Sequence, residues 1–264
     1  DLRNIVVSNT SRMWAYGNYN LSCISVSDSI LATQLSSNPY NLSQGSNTNL
    51  YPWQLSSNSF FSLNCNSLPK TYVPDDNFET YLENNSMGDG ILNDSVYTMN
   101  ISSVTSLNIY NQGTISDLTG IEDFLLLDDL LLYGCSLSSN LDLSSNTLLT
   151  KLSLPSCQIS SLDLSLLTNL DTLNIRNNSN LSSLDISNNT ALKYLDCSYL
   201  DLTSLDVSLN TALTDLNGSW NGLTSLDLST NVLLEKLDCE YQTYLNGSWN
   251  GAGIVSLDLS NNIL

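Results

Sequence analysis

Leucine returns in this chain at Leu107, Leu130, Leu152, Leu173, Leu195, Leu216 and Leu237, each time opening a short Leu-x-Leu-like segment. The steps are 23, 22, 21, 22, 21 and 21 residues. A period of that length is neither helical nor strand periodicity; it is one supersecondary unit copied along the chain. Such a unit cannot bury its own apolar edge, so it must stack on its neighbours. A second series of SLDLS type runs half a period out of step, through Leu141, Leu162, Leu184, Leu205, Leu226 and Leu257. Its steps are 21, 22, 21, 21 and then 31. Two extended segments per unit predict a right-handed solenoid with few helices and strands about 4.8 Å apart. The first series forms its concave parallel sheet and the second its convex wall.

Around the first series lies the pattern L-x-x-L-x-L-x-x-N/C-x-L: LDDLLLYGCSL from Leu127, LTKLSLPSCQI from Leu149 and LTDLNGSWNGL from Leu213. This is the leucine-rich repeat pattern. The segment Leu192–Asn217, LKYLDCSYLDLTSLDVSLNTALTDLN, resembles the unit of secreted leucine-rich repeat proteins of Bacteroidota, which reads LTSLDVSxNTALTxLDCSxN. TYVPDDNFETYLENNSMGDGILNDS (Thr71–Ser95), followed by ISDLTGIEDF (Ile115–Phe124), is similar to the N-terminal cap of that family. The resemblance runs from Thr71 to Leu264 and implies a secreted, cell-surface leucine-rich repeat protein. It is specific for fold and silent on ligand.

Three regions follow: a small β-rich domain over 1–70, a helical cap over 71–103 and the solenoid over 104–264. Residues 1–70 lack the 21-residue period but carry alternating stretches such as SCISVSDSILATQL, the pattern of half-buried strands. Cys23 and Cys65, the cysteines of this region, are a candidate disulfide in an oxidising compartment. In the cap, Asp76 and Glu79 have capping-box spacing, and Phe78, Tyr81 and Leu82 line one helical face.

Composition narrows the functions. The chain has 26 acidic residues, 7 basic ones and no His, for a net charge of −19. Such a chain is repelled by nucleic acid and by anionic membranes. It holds no apolar run long enough for a membrane span. Without His, Ser-His-Asp, Cys-His and HExxH sites are impossible. A carboxylate pair for glycoside hydrolysis is compatible with the composition, yet most Asp residues are explained by the repeat, so the chain reads as non-enzymatic. No cofactor or metal is expected.

Two polar ladders follow the period. Asp142, Asp163, Asp185, Asp206, Asp227 and Asp258 place one carboxylate at the same point of successive coils. They read as turn formers in preference to a row of Ca2+ sites. Asn146, Asn189, Asn210, Asn231 and Asn262 read as inward amides that bond to backbone. Cys135, Cys157, Cys197 and Cys239 read as small buried hydrophobes. The concave face is polar, with Asn174, Asp196, Asn217, Trp220 and Asp238 as candidate contacts to a protein or glycan. Eleven Asn-x-Ser/Thr sequons occur, and Asn217 and Asn246 are the glycosylation candidates among them. Ser29, Ser95 and Thr172 sit in Asp-Ser/Thr-aliphatic triplets, which resemble the O-glycosylation site of Bacteroidota.

LNGSWNG occurs twice, at Leu216–Gly222 and at Leu245–Gly251. The first copy is in phase with the repeat. The second lies inside the 31-residue step and reads as a loop over Tyr244–Gly253 that displays Trp249. The repeat shows no polar terminal coil after SLDLSNNIL, and terminal repeats need one for solubility. Either the sequence is a fragment of a longer chain or another molecule covers that face; in the second case head-to-tail self-association into a surface filament is expected, with Tyr244, Trp249, Ile263 and Leu264 as contact candidates. The alternative is a monomeric recognition module that binds another extracellular protein or a glycan.

Overall fold

In a computed structural model the chain is a parallel-strand β-solenoid. The described residues are 69–110, 115–137, 141–242, 253–259 and 261, with the backbone of the short strands 4–7, 23–26, 60–62, 244–245 and 248–249.

Strands β1 (Asn4–Val7), β2 (Cys23–Val26) and β3 (Phe60–Ser62) pair in parallel. Cys23 lies in β2; Cys65, its expected disulfide partner, lies outside the described residues.

The cap begins with β4 (Lys70–Tyr72), antiparallel to β5 (Ser95–Tyr97). Between them runs helix α1 (Asp76–Asn84), whose Phe78, Tyr81 and Leu82 are buried as expected from their spacing. The capping box is corrected. The N-cap is Asp75, whose Oδ1 accepts from the backbone N–H of Asn77 and Phe78, both at 3.0 Å. Phe78 then holds the third helical position, where a capping box needs Glu or Gln. The Glu79 carboxylate instead accepts from the N–H groups of Asn93 and Ser95, at 2.9 and 3.0 Å. The other Asp75 oxygen binds Ser116 and Asp117, so one side chain ties α1 to the first coil. A one-turn helix α2 (Thr98–Ile101) leads into the solenoid.

The first leucine series maps one to one onto a seven-stranded parallel sheet. Its strands are β6 (Ser106–Tyr110), β7 (Asp129–Tyr133), β8 (Lys151–Ser153), β9 (Thr172–Asn174), β10 (Tyr194–Asp196), β11 (Asp215–Asn217) and β13 (Lys236–Asp238). In register, Leu107 faces Leu130, then Leu152, Leu173, Leu195, Leu216 and Leu237 in turn. Leu107 through Leu216 are buried, and Leu237 packs against the same core from a half-buried position. Each buried Leu contributes about 1.5–3 kcal/mol. That gain exists only because the next coil covers the edge.

The opposite wall differs from expectation. Extended segments were expected in every coil, but among the described residues only β12 (Ser225–Asp227) and β16 (Ser256–Asp258) pair there as strands. The earlier coils make tight turns, closed by bonds such as Asn146 N–H to Leu143 C=O and Asn189 N–H to Ile186 C=O. Such turns curl the chain away from a strand ladder, and the Asn side chains join the coils instead. The Nδ2 of Asn189 donates to Leu164 and Leu167 carbonyls, Asn210 to Ile186 and Asn189, and Asn231 to Val207 and Asn210. Asn146 does the same to Ile121 and Phe124. The inward-amide reading of this ladder therefore holds for these four; Asn262 lies outside the described residues.

The 31-residue step is an insertion. Leu226 and Leu257 pair in register across it, so the extra residues leave the coil path and return. They form an antiparallel ribbon of β14 (Tyr244–Leu245) and β15 (Ser248–Trp249), with Tyr244 opposite Trp249. The strands are separated by Asn246-Gly247, the pair most favoured in two-residue hairpins. That signal contradicts a plain loop.

Candidate functional site

At the end of each strand the same local chemistry recurs. Oδ1 of Asn174, Asp196, Asn217 and Asp238 accepts from the N–H two residues on, in Arg176, Ser198, Ser219 and Glu240. Asp196 and Asn217 also take the Ser198 and Ser219 hydroxyls, each at 2.6 Å. These are Asx turns. Four of the five concave-face candidates therefore also shape the strand ends.

What the turns position is the residue after them. The third residue beyond each Asx side chain adopts positive φ: Asn177 (60°), Tyr199 (54°), Trp220 (56°) and Tyr241 (56°). Gly134 and Ser156 hold the same station in earlier coils, at 73° and 60°. The backbone N–H groups of Gly134, Ser156, Asn177, Tyr199 and Trp220 are each bonded to the next coil, as in Tyr199 to Ser219 C=O and Trp220 to Glu240 C=O. Gly and Asn tolerate this region; a bulky side chain in it is an outlier.

The last three coils nevertheless place aromatic rings there. Tyr199 and Trp220 stack at 4.7 Å and 10°, and Trp220 and Tyr241 at 4.3 Å and 22°. The spacing is that of adjacent strands, so the solenoid itself sets the stacking distance. Tyr199 is 41% exposed and Tyr241 49%. Trp220 is one of the concave-face candidates named from the sequence. The signal for the stack was the three rings' common offset of three from the Asx residue.

The opposite edge of the sheet is charged. Asp129, Lys151, Thr172, Tyr194, Asp215 and Lys236 stand in one register row. Lys236 pairs with Asp215 at 2.6 Å, and Lys193 with Asp171 at 3.6 Å. Lys151, Arg176, Lys193 and Lys236 are four of the seven basic residues of the chain. The positive charge of a strongly acidic protein is thus concentrated along one sheet.

The Asp ladder is structural where it is described. Oδ1 of Asp142, Asp163, Asp185, Asp206 and Asp227 accepts from the N–H of the serine two residues on. For Asp142, Asp163, Asp206 and Asp227 the serine hydroxyl, then its N–H, holds the carboxyl below its ordinary value of 3.8. Cys135, Cys157 and Cys197 are buried free thiols, as expected, whereas Cys239 is only half-buried. Burial pushes the Cys197 thiol up to about 12.

The other expected sites are dispersed. The Ser95 hydroxyl donates to Asn93 at 2.5 Å and accepts from Lys70 at 3.2 Å. Thr172, inside the sheet, donates to Asp171. Tyr244 and Trp249 face each other in the ribbon. Ser29, Asn246, Ile263 and Leu264 lie outside the described residues.

No protein-family model and no curated protein matches the chain. Among solved structures it is similar to the functional domain of InlJ from Listeria monocytogenes, which includes a cysteine ladder, at 27% identity and a TM-score of 0.39. That alignment covers 74% of this chain and 53% of InlJ. An internalin, inlF, of the same species aligns at 24% identity and 0.46, covering 62% and 56%. Internalin C2 aligns at 19% and 0.45, covering 72% and 89%. The chain thus spans about half the length of the first two. On its own register of strands and leucines, this chain is a leucine-rich repeat solenoid. Among the described residues no helix is long and apolar enough to cross a membrane.

Proposed function

We propose that this chain is a non-enzymatic extracellular recognition module that grips a protein partner along its sheet and aromatic edge. The observation that carries this is the Tyr199–Trp220–Tyr241 stack at left-handed backbone positions. Left-handed backbone costs a non-glycine residue roughly 1–2 kcal/mol. Three such residues outweigh two stacked pairs, at about 0.5–1.5 kcal/mol each. Gly134 and Asn177 serve the same station in other coils, so the aromatic choice is not made for stability. Strain of this kind supports a functional role.

The geometry favours protein over glycan. Both faces of Trp220 are covered by its neighbours, so a sugar ring has no face there to stack on. What remains is a strip of ring edges, across the sheet from the row of Lys236, Asp215 and Tyr194, and aromatic and charged groups together are the mixture found at protein hot spots. Screening the purified chain against arrayed extracellular proteins and arrayed glycans tests the reading. Protein ligands are expected, with binding weakened at least ~10-fold in a Tyr199→Ala/Trp220→Ala/Tyr241→Ala variant. Glycan-only binding, or binding indifferent to the triple substitution, would overturn it.

A second reading is head-to-tail self-association as a filament subunit, a contact that propagates when it does not close. Negative-stain images of purified protein distinguish the two: filaments favour assembly, and discrete particles at high concentration exclude it.

A further inference from the structure

We propose that the N-terminal cap carries a divalent-cation site, suited to Ca2+, formed by Asp76, Glu79 and Asp94. Asp76 opens α1, Glu79 lies one turn further on, and Asp94 immediately precedes β5. One carboxylate oxygen from each lies within 4.8 Å of those of the other two. Three like charges so close repel, and among the described residues none of the three is in an ion pair. The nearest candidate, Lys70, is committed to Asp89 at 2.6 Å and to the Ser95 hydroxyl.

Glu79 supplies the independent observation. It is 1% exposed. Its Oε1 is occupied by the N–H groups of Asn93 and Ser95, which hold the Asp94 segment against the helix. Its Oε2 is buried with no hydrogen-bond partner at all. A buried carboxylate oxygen without a partner loses its solvation uncompensated unless something positive meets it. A cation held by Oε2 and by the two exposed carboxylates removes that penalty and the mutual repulsion together. The all-oxygen donor set is that of a hard cation, and water fills the remaining positions toward solvent.

The Asp ladder lacks this feature. Its carboxylates are exposed and each accepts from its own serine. The cap site also joins the helix to β5, so its occupancy bears on closure of the solenoid end.

Calorimetric titration of the full chain with CaCl2, paired with melting curves in CaCl2 and in EDTA, tests the proposal. One site with Kd of about 10⁻⁴–10⁻³ M is expected, the range of extracellular modules, together with a higher Tm in Ca2+. Asp76→Asn/Asp94→Asn, which alters only the exposed ligands, should remain folded and bind at least ~10-fold more weakly. Glu79→Gln should abolish the calcium-dependent part of the Tm shift. No heat and no Tm change at about 10 mM Ca2+ would overturn the site. Binding unchanged in the double variant would also overturn it, by placing the ion elsewhere.

Discussion

The two copies of LNGSWNG have one sequence and two structures. In the first, Leu216 is buried in the sheet core between Leu195 and Leu237. Gly218 donates to Asp238 C=O, Trp220 stacks between two tyrosines, and Asn221 is fully buried. In the second, Leu245 and Trp249 lie in an antiparallel two-residue ribbon outside the seven-stranded sheet. The heptapeptide therefore carries no structure of its own. A parallel strand forms where coils on both sides offer a ladder and an apolar layer, and a local hairpin forms where they do not.

The largest test of this contrast is at the leucines. Leu216→Ala should lower stability by about 2–5 kcal/mol, through lost burial and the cavity left behind. Leu245→Ala, outside the seven-stranded sheet, should cost under ~1 kcal/mol. Urea midpoints measure both; similar losses would mean that the ribbon is part of the core.

Next come the asparagines. In Asn221 the Nδ2 donates to Cys197, Gly218 and Ser219 carbonyls, while Oδ1 accepts from Leu202 N–H. Asn221→Ala leaves those buried groups unmatched and should cost about 1–3 kcal/mol. Its counterpart Asn250→Ala should fall within ~0.5 kcal/mol of wild type. Asn221→Asp separates shape from hydrogen bonding, since it keeps the size and loses the donor.

Deleting Thr243–Ala252 restores a 21-residue step between Leu226 and Leu257. The solenoid should stay folded, with the unfolding midpoint moved by no more than the equivalent of ~1 kcal/mol. If head-to-tail assembly occurs, this deletion should weaken it. Collapse of the circular-dichroism signal would show that the ribbon is a support for the last coil.

The smallest effect is expected on acidification. The Asp142, Asp163, Asp206 and Asp227 carboxyls are held below their ordinary 3.8 by serine hydroxyls and N–H groups. A depressed folded-state pKa means stability fully present above the unfolded value and lost as pH falls through the folded one. The Tm should therefore decline below about pH 4, and less in a Ser144→Ala/Ser208→Ala variant. The groups are solvent-exposed, so each contribution is small.

Much of the fold was legible because a repeat announces itself. Seven leucines in phase predicted seven strands in register, and the Asp and Asn ladders followed from the same period. The misreadings occurred where one residue's neighbours decide. Asp75, and not Asp76, caps α1 because its side chain also reaches Ser116 and Asp117, 41 and 42 residues away. Asn174, Asp196, Asn217 and Asp238 also close Asx turns at the strand ends, and the positions of the rings follow from those turns. The pairing of Tyr244–Leu245 with Ser248–Trp249 was signalled locally by the Asn-Gly pair between them in the sequence, yet the repeat overshadowed it.

By itself the sequence determined the coil length, the inward leucines and the absence of histidine chemistry, because each depends on residue type and spacing alone. Only the tertiary structure decided which LNGSWNG became a core strand, that three aromatic rings stack across coils, and that Glu79 ends with one carboxylate oxygen unmet. Those outcomes depend on what stands 14 or more residues away in the chain and about 5 Å away in space, and no local pattern encodes that distance.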